Sequence, residues 1–258
     1  MNELTVGLVQ AELRWQDAQA NRDHLQSLMD AGPPAALYVL PETFTTGFLG
    51  DQDTEPETYD GPTLAWMRAQ ASQRGAALVG SVALADEHGL RCNRMIFVPP
   101  EGAPAWYDKR HLFSFGGEDE RYAAGQSHTM VDWRGWKIDL QVCYDLRFPV
   151  WCRNDRGYDL QLFVANWPRP RVEAWRLLLR ARVVENQAFV VGVNRSGQDG
   201  KGVEYPGRSV AIDAAGERLL ELGSEEQLAV VTLNKESLER LRNDLPFLRD
   251  QDRFRLED

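Results

Sequence analysis

Cysteine is scarce in this chain, with Cys92, Cys143 and Cys152 the only three among 258 residues. Their odd number and the lack of any C-x-x-C pair exclude a disulfide framework and fit a reducing compartment, so a cytoplasmic location is expected. Histidine is equally thin, at four residues. Without a His-Glu-x-x-His run or a Cys/His cluster there is no metal-ligand signature, and neither a metal nor another cofactor is expected. Positive charge is in deficit, because 29 Lys and Arg stand against 39 Asp and Glu for a formal net charge of -10. That balance argues against nucleic acid or an anionic membrane surface as a partner. No apolar run approaches the roughly 18 residues of a membrane span, and Glu3 stands where a secretory signal would be basic. A serine nucleophile is missing too, since Gly207-Arg208-Ser209-Val210-Ala211 lacks the second glycine of a G-x-S-x-G elbow.

What is present is apolar mass in short alternating runs. With 43% hydrophobic residues and 8 Trp, the chain can bury a sizeable core as a single domain over 1–258, ending in a tail from about 244. Short β-rich runs alternate with longer helical ones, which predicts α/β layering. The alternation predicts strands over residues 4–10, 36–42, 76–84, 91–98, 127–133, 136–143, 159–165 and 189–194. Helices are predicted over 16–29, 62–74, 172–185 and 235–242, the second opened by Gly61-Pro62 and stopped by Gly75. Turns are expected at 86–89 and at Arg134-Gly135, and the runs 208–213, 218–222 and 229–233 read as a small meander.

Three strand-like runs end on residues that carry chemistry. Leu140-Gln-Val-Cys-Tyr-Asp-Leu-Arg-Phe-Pro149 puts Cys143 where a parallel strand would hand over to a helix, whose first N–H groups favour negative charge. Ala36-Leu-Tyr-Val-Leu-Pro-Glu42 ends on a carboxylate, and Ala105-Trp-Tyr-Asp-Lys-Arg-His-Leu-Phe113 carries Lys109 at a comparable place. Their convergence at one edge of one sheet would assemble a thiol, an acid and an ammonium. Taken singly, each has a structural explanation: a helix cap, a solvated lysine, a core thiol. Cys92 and Cys152 are read as small apolar core residues. His111 and His128 lack any surrounding cysteine-protease signature, and His111 is expected as a hydrogen-bonded neighbour of the lysine loop.

These segments together resemble the nitrilase (carbon–nitrogen hydrolase) superfamily, whose Glu-Lys-Cys triad follows this order. Leu-Pro-Glu42-Thr-Phe, Tyr-Asp-Lys109-Arg-His-Leu-Phe and Val-Cys143-Tyr-Asp-Leu-Arg-Phe-Pro match its motifs, and the likeness spans roughly the first 235 residues. The resemblance implies a four-layer αββα sandwich and a homodimer. It also implies a second glutamate before Gly125, best matched by Glu118, with Glu120 as the alternative. The Cys143 motif and Ala-Asn166-Trp167-Pro resemble most the Nit-type omega-amidase branch, which implies a small-molecule partner, the distal amide of 2-oxoglutaramate or 2-oxosuccinamate. An N-carbamoyl amino acid amidohydrolase with the same triad, and an idle binding or scaffold protein, are the alternatives.

Chemistry assigns each triad residue a task. In water a thiol near pKa 8.5 and a glutamic acid near 4.3 differ by about four units, so passing the proton from Cys to Glu costs roughly 6 kcal/mol. Burial of Glu42 and the Lys109 ammonium beside Cys143 are expected to narrow that gap. Glu42 is then the general base, Cys143 the nucleophile, and Lys109 with the Tyr144 N–H the oxyanion holders. Phe113, Phe115, Tyr144, Phe148 and Trp167 are candidate pocket walls, together with Asn166. Arg147 and Arg169 are candidate carboxylate grips, with an Arg147–Asp145 ion pair as the competing reading.

Overall fold

Alternation along the strands sorts apolar side chains into layers. In β1 (Glu3–Gln10), Leu4, Val6 and Leu8 face one core while Val9 joins another. The computed structural model describes residues 2–50, 55–86 and 88–256; Glu87 of the 86–89 turn and the last two tail residues lie outside them. β1 joins a sheet with β2 (Leu37–Val39), β3 (Glu57–Thr58), β4 (Ala77–Ala85), β5 (Arg91–Val98), β6 (Ala105–Asp108) and β15 (Gln227–Asn234). Its order is β15-β1-β2-β4-β5-β6, with β3 beside the end of β4. The second sheet contains β7 (Met130–Trp133), β8 (Trp136–Val142), β9 (Leu160–Ala165), β10 (Phe189–Asn194), β13 (Val210–Ile212) and β14 (Arg218–Glu221), ordered β14-β13-β10-β9-β8-β7. A separate hairpin pairs β11 (Ser196–Gln198) with β12 (Glu204–Pro206).

The two sheets face each other across one continuous core. Val6, Val39, Val79 and Phe97 of the first meet Ile138, Leu140, Leu162 and Val191 of the second, all buried. Each such side chain contributes about 1.5–3 kcal/mol by leaving water. Helices close the outer faces. α1 (Ala18–Ala31) and α2 (Pro62–Arg74) lay Leu25, Met29, Leu64 and Met67 against Leu78 and Ile96. On the opposite side α3 (Val172–Asn186) lays Trp175, Leu179 and Val183 against Phe163 and Val190. The result is the αββα sandwich that the resemblance implies. Local signals set the helix ends: Asp17 accepts from the Ala20 N–H at 3.0 Å, and Gly75 closes α2 at φ 58°. The fourth helix, α4 (Lys235–Asp244), starts on Asn234, which accepts from the Ser237 N–H at 3.1 Å. Among the described residues, no helix is long and apolar enough to cross a membrane.

Several expectations need correction. The run 229–233 does not complete a meander; β15 crosses to the first sheet and pairs antiparallel with β1 over its whole length. The edge of β1 would otherwise present unpaired N–H and C=O groups. The run 36–42 is strand only over Leu37–Val39, and the run 127–133 only over Met130–Trp133. The tail docks through Leu245, whose carbonyl accepts from Gln187 at 2.8 Å, while Phe247, Phe254 and Leu256 remain exposed.

Candidate active site

Each chemistry-bearing residue sits just past a strand end, yet the ends belong to two sheets. Glu42 follows β2 and Lys109 follows β6 in the first sheet, whereas Cys143 follows β8 in the second. The site therefore lies at the seam between the sheets rather than along one edge, and β2 and β6 are not neighbours in the strand order. Turns at these exits are sharp, with Thr43 at φ 40° and Cys143 at φ 44°. Left-handed geometry in non-glycine residues costs of order 1–3 kcal/mol and persists only where surroundings impose it. Around Cys143 the imposing group is Asp145, which is fully buried. Its carboxylate accepts from the Val142 N–H at 3.0 Å, the Tyr107 hydroxyl at 2.8 Å and the His111 N–H at 2.9 Å. His111 Nδ1 also bonds it at 2.8 Å, so His111 braces the turn that carries Cys143. The segment after Cys143 is one 3-10 turn, Cys143–Arg147, and not the expected α-helix, so no helix dipole points at the sulfur.

Lys109 is the hub of the cluster. Its Nζ donates to Glu42 Oε1 at 2.9 Å and to Glu118 at 2.8 and 3.1 Å, with all three side chains almost wholly buried. Glu120 is exposed, so Glu118 is the glutamate that meets the lysine. Gly125 holds the loop in place: its N–H donates to the Lys109 carbonyl at 2.9 Å, and a Cβ there would lie 2.0 Å from the Asp108 carbonyl oxygen. Burial alone would lower the Lys109 pKa, but Glu118, Glu42 and Cys143 outweigh it and hold the ammonium well above its usual range.

At Cys143 the expected lowering by Lys109 is present but outweighed. Burial, then the Glu42 charge, push its thiol well above the ordinary value, and Lys109 only partly offsets them. The thiol hydrogen-bonds Glu42 and keeps part of its surface open to a cavity. The raised thiol therefore stands directly beside the Glu42 carboxylate. Two asparagines hold that carboxylate, a role not read from the sequence. Asn93 donates to Glu42 Oε1 at 2.9 Å, and Asn166 donates to Glu42 Oε2 through its backbone N–H at 2.8 Å and its amide at 3.3 Å. Asn166, expected as a substrate contact, thus orients Glu42 as well as lining the cavity.

The cavity holds about 710 Å³ and opens over Cys143. Phe113, Phe115, Tyr144 and Trp167 line it as expected, joined by Phe48 and Tyr205. Phe148 does not; its ring stacks on His111 at 3.6 Å. Arg147 lines the cavity and lies over the Trp167 ring at 5.0 Å, without the anticipated Asp145 pair. Among the described residues it makes no ion pair. Arg169 is a correction: it turns outward to Glu204 at 2.5 Å on the surface. Arg171 takes its place in the cavity, over the Phe113 ring at 5.2 Å. Alternation about Pro168 and Pro170 was the available signal for this swap, since a 3-10 turn at Arg169–Arg171 sends neighbouring side chains different ways.

Comparison with known proteins agrees with this architecture. Residues 5–243 match the family described as carbon-nitrogen hydrolase. An omega-amidase, YafV, of Yersinia enterocolitica is 45% identical over 99% of this chain and 100% of its own length. A 2-oxoglutaramate amidase of Bacillus subtilis is 33% identical over 84% of this chain and 85% of that one. The crystal structure of XC1258 from Xanthomonas campestris, a CN-hydrolase superfamily protein with an arsenic adduct in its active site, is 47% identical. It covers 100% of both chains with a TM-score of 0.96.

Proposed function

This chain belongs to the carbon–nitrogen hydrolase family and is an amidase of the nitrilase superfamily, and from that premise we propose that it hydrolyses the distal amide of small oxo-acid amides such as 2-oxoglutaramate and 2-oxosuccinamate. One observation carries the reading. The buried Glu42–Lys109–Glu118–Cys143 cluster opens into a cavity whose lining includes two guanidiniums, Arg147 and Arg171. A cluster of that composition suits attack on an amide carbonyl, and arginines facing a pocket suit a remote carboxylate.

The chemistry runs in two halves. Glu42 takes the Cys143 proton as sulfur forms a bond to the amide carbon, and the carbonyl oxygen becomes an oxyanion held by Lys109 and the Tyr144 N–H. Glu42 returns the proton to nitrogen, the C–N bond breaks and ammonia leaves, so that a thioester remains. Water then gives a proton to Glu42 while its oxygen bonds to the acyl carbon. The C–S bond breaks, the sulfur recovers the proton and the free acid departs. Lys109 keeps its proton throughout. Glu118 serves by holding Lys109 and, through the Phe113 N–H at 2.7 Å, the aromatic wall. The reading places the enzyme in the cytoplasm as a homodimer, and the exposed Leu177 and Val184 on α3, at 70% and 57%, support a paired surface.

The test is ammonia release from a panel of 2-oxoglutaramate, 2-oxosuccinamate, N-carbamoyl amino acids and nitriles. Preference for the oxo-acid amides supports the reading. Turnover confined to ureido substrates, with carbon dioxide released beside ammonia, replaces it by the N-carbamoyl alternative.

A further inference from the structure

Asn93 lies on β5, outside every motif that marks the site. Its side-chain amide nitrogen nevertheless donates to Glu42 Oε1 at 2.9 Å and to Glu118 Oε1 at 3.1 Å. Apart from Lys109, it is the one side chain among the described residues that hydrogen-bonds both carboxylates. Its backbone carbonyl also accepts from the Lys109 N–H at 3.0 Å, so the same residue contacts three members of the cluster. Asn93 is 1% exposed, and its Oδ1 is buried without a partner among the described residues. A buried carbonyl left unpaired is destabilising. Turning the amide over would satisfy nothing, because it would set that oxygen against two carboxylates. The orientation is dictated by the acids, not by the amide's own needs.

We propose that Asn93 is a positioning residue that holds Glu42 and Glu118 apart on the Lys109 ammonium and thereby sets how readily Glu42 accepts the Cys143 proton. This rests on Glu42 being the base of the proposed amidase reaction. The groups bearing on Glu42 are Lys109, which favours its charge, and Glu118 and Cys143, which oppose it, with Tyr205 across the cavity. Against two acids and one ammonium, the two Asn93 N–H bonds add positive potential to that of the Asn166 donors on Glu42 and the Phe113 N–H on Glu118. Donors to a carboxylate favour its ionised form. Without them the Glu42 carboxylate loses a donor on Oε1 and is held less firmly in the form that accepts a proton.

The experiment measures kcat/KM for 2-oxoglutaramate against pH, and in parallel the rate of Cys143 alkylation by iodoacetamide, for wild type, Asn93→Ala and Asn93→Ser. The second readout needs no substrate, so it separates this proposal from the substrate assignment. Asn93→Ala should move the acid limb of both profiles upward by about one pH unit, the effect of one charge-assisted hydrogen bond. Asn93→Ser, which keeps one hydroxyl donor, should fall between. KM should change less than kcat, because Asn93 does not line the cavity. Folded variants that lose rate equally at every pH, or that keep the wild-type limb, overturn the proposal. So does failure of both variants to fold, which would make Asn93 a residue of the fold. A wild-type alkylation limb that shifts in the variants, without turnover of any oxo-acid amide, upholds Asn93 and rejects the substrate assignment.

Discussion

Replacing Lys109 by Met removes the ammonium while keeping most of the side-chain volume, which isolates charge from packing. Three hydrogen bonds, at 2.8, 2.9 and 3.1 Å, vanish from two carboxylates. Glu42 and Glu118 are 0% and 1% exposed, so water is a poor substitute for the lost partner. Breaking a buried pair by deleting one member costs about 3–5 kcal/mol. The deficit should depend on pH. In wild type the raised Lys109 pKa means its contribution is complete below the unfolded value of about 10.4 and is lost only as pH climbs through the folded one. In the variant the orphaned acids prefer to be neutral, so the folded state binds more protons than the unfolded state and stability rises as pH falls. Urea unfolding of both proteins at one concentration, from pH 5 to pH 9, reads this directly. We expect a deficit of about 3 kcal/mol or more at pH 8 that narrows toward pH 5. A deficit under about 1 kcal/mol, or one that widens on acidification, would refute the electrostatic account of the cluster.

Three further outcomes follow from the same geometry. Arg147→Ala and Arg171→Ala should each lower kcat/KM for 2-oxoglutaramate mainly through KM, by about 1.5–3 kcal/mol, while a neutral amide loses much less; steady-state kinetics in which Arg169→Ala is as damaging as either would contradict the placement of Arg171 in the cavity and Arg169 on Glu204. Brief iodoacetamide treatment should modify Cys143 before Cys92 or Cys152, because the latter two are 3% and 0% exposed, and Cys143→Ser should be nearly inactive; mapping that finds Cys92 alkylated first would count against it. Burial lifts Asp139 from 3.8 to about 6, with Arg156, Gln161 and Gln141 offsetting only part. A carboxyl raised in the folded state loses stability as pH rises through that window, so Asp139→Asn should gain up to about 3 kcal/mol above pH 6 and little below pH 4; a gain independent of pH would disprove it.

The strands were legible because period-two alternation records which side chains face a core, while their arrangement in four layers came from the family resemblance. The runs predicted over 76–84 and 91–98 match β4 and β5 closely for that reason. Alternation does not record which edge a strand joins. The run 229–233 has the same pattern whether it closes a meander or pairs with β1, and only the open edge of β1 decides. Short pieces such as β3 and the β11–β12 hairpin fall below any periodic signal. Glu118 and Glu120 are chemically alike, so their difference is purely geometric: one reaches the lysine and the other reaches solvent.

The protonation of Cys143 was the least legible feature, because it depends on the sum of the site. Sequence reasoning named Glu42, Lys109, Glu118 and Cys143 without their summed effect, whereas the fold sets one ammonium against two buried carboxylates before the sulfur is considered. A resting thiolate would add a third negative group to a buried site, which is why burial and Glu42 together overcome Lys109. On the proposed assignment the proton must therefore leave sulfur only as sulfur bonds to carbon, when the new negative charge appears on the carbonyl oxygen beside Lys109 rather than on the thiol. The ammonium then stabilises the tetrahedral state more than the resting one, which is the condition for it to accelerate the reaction.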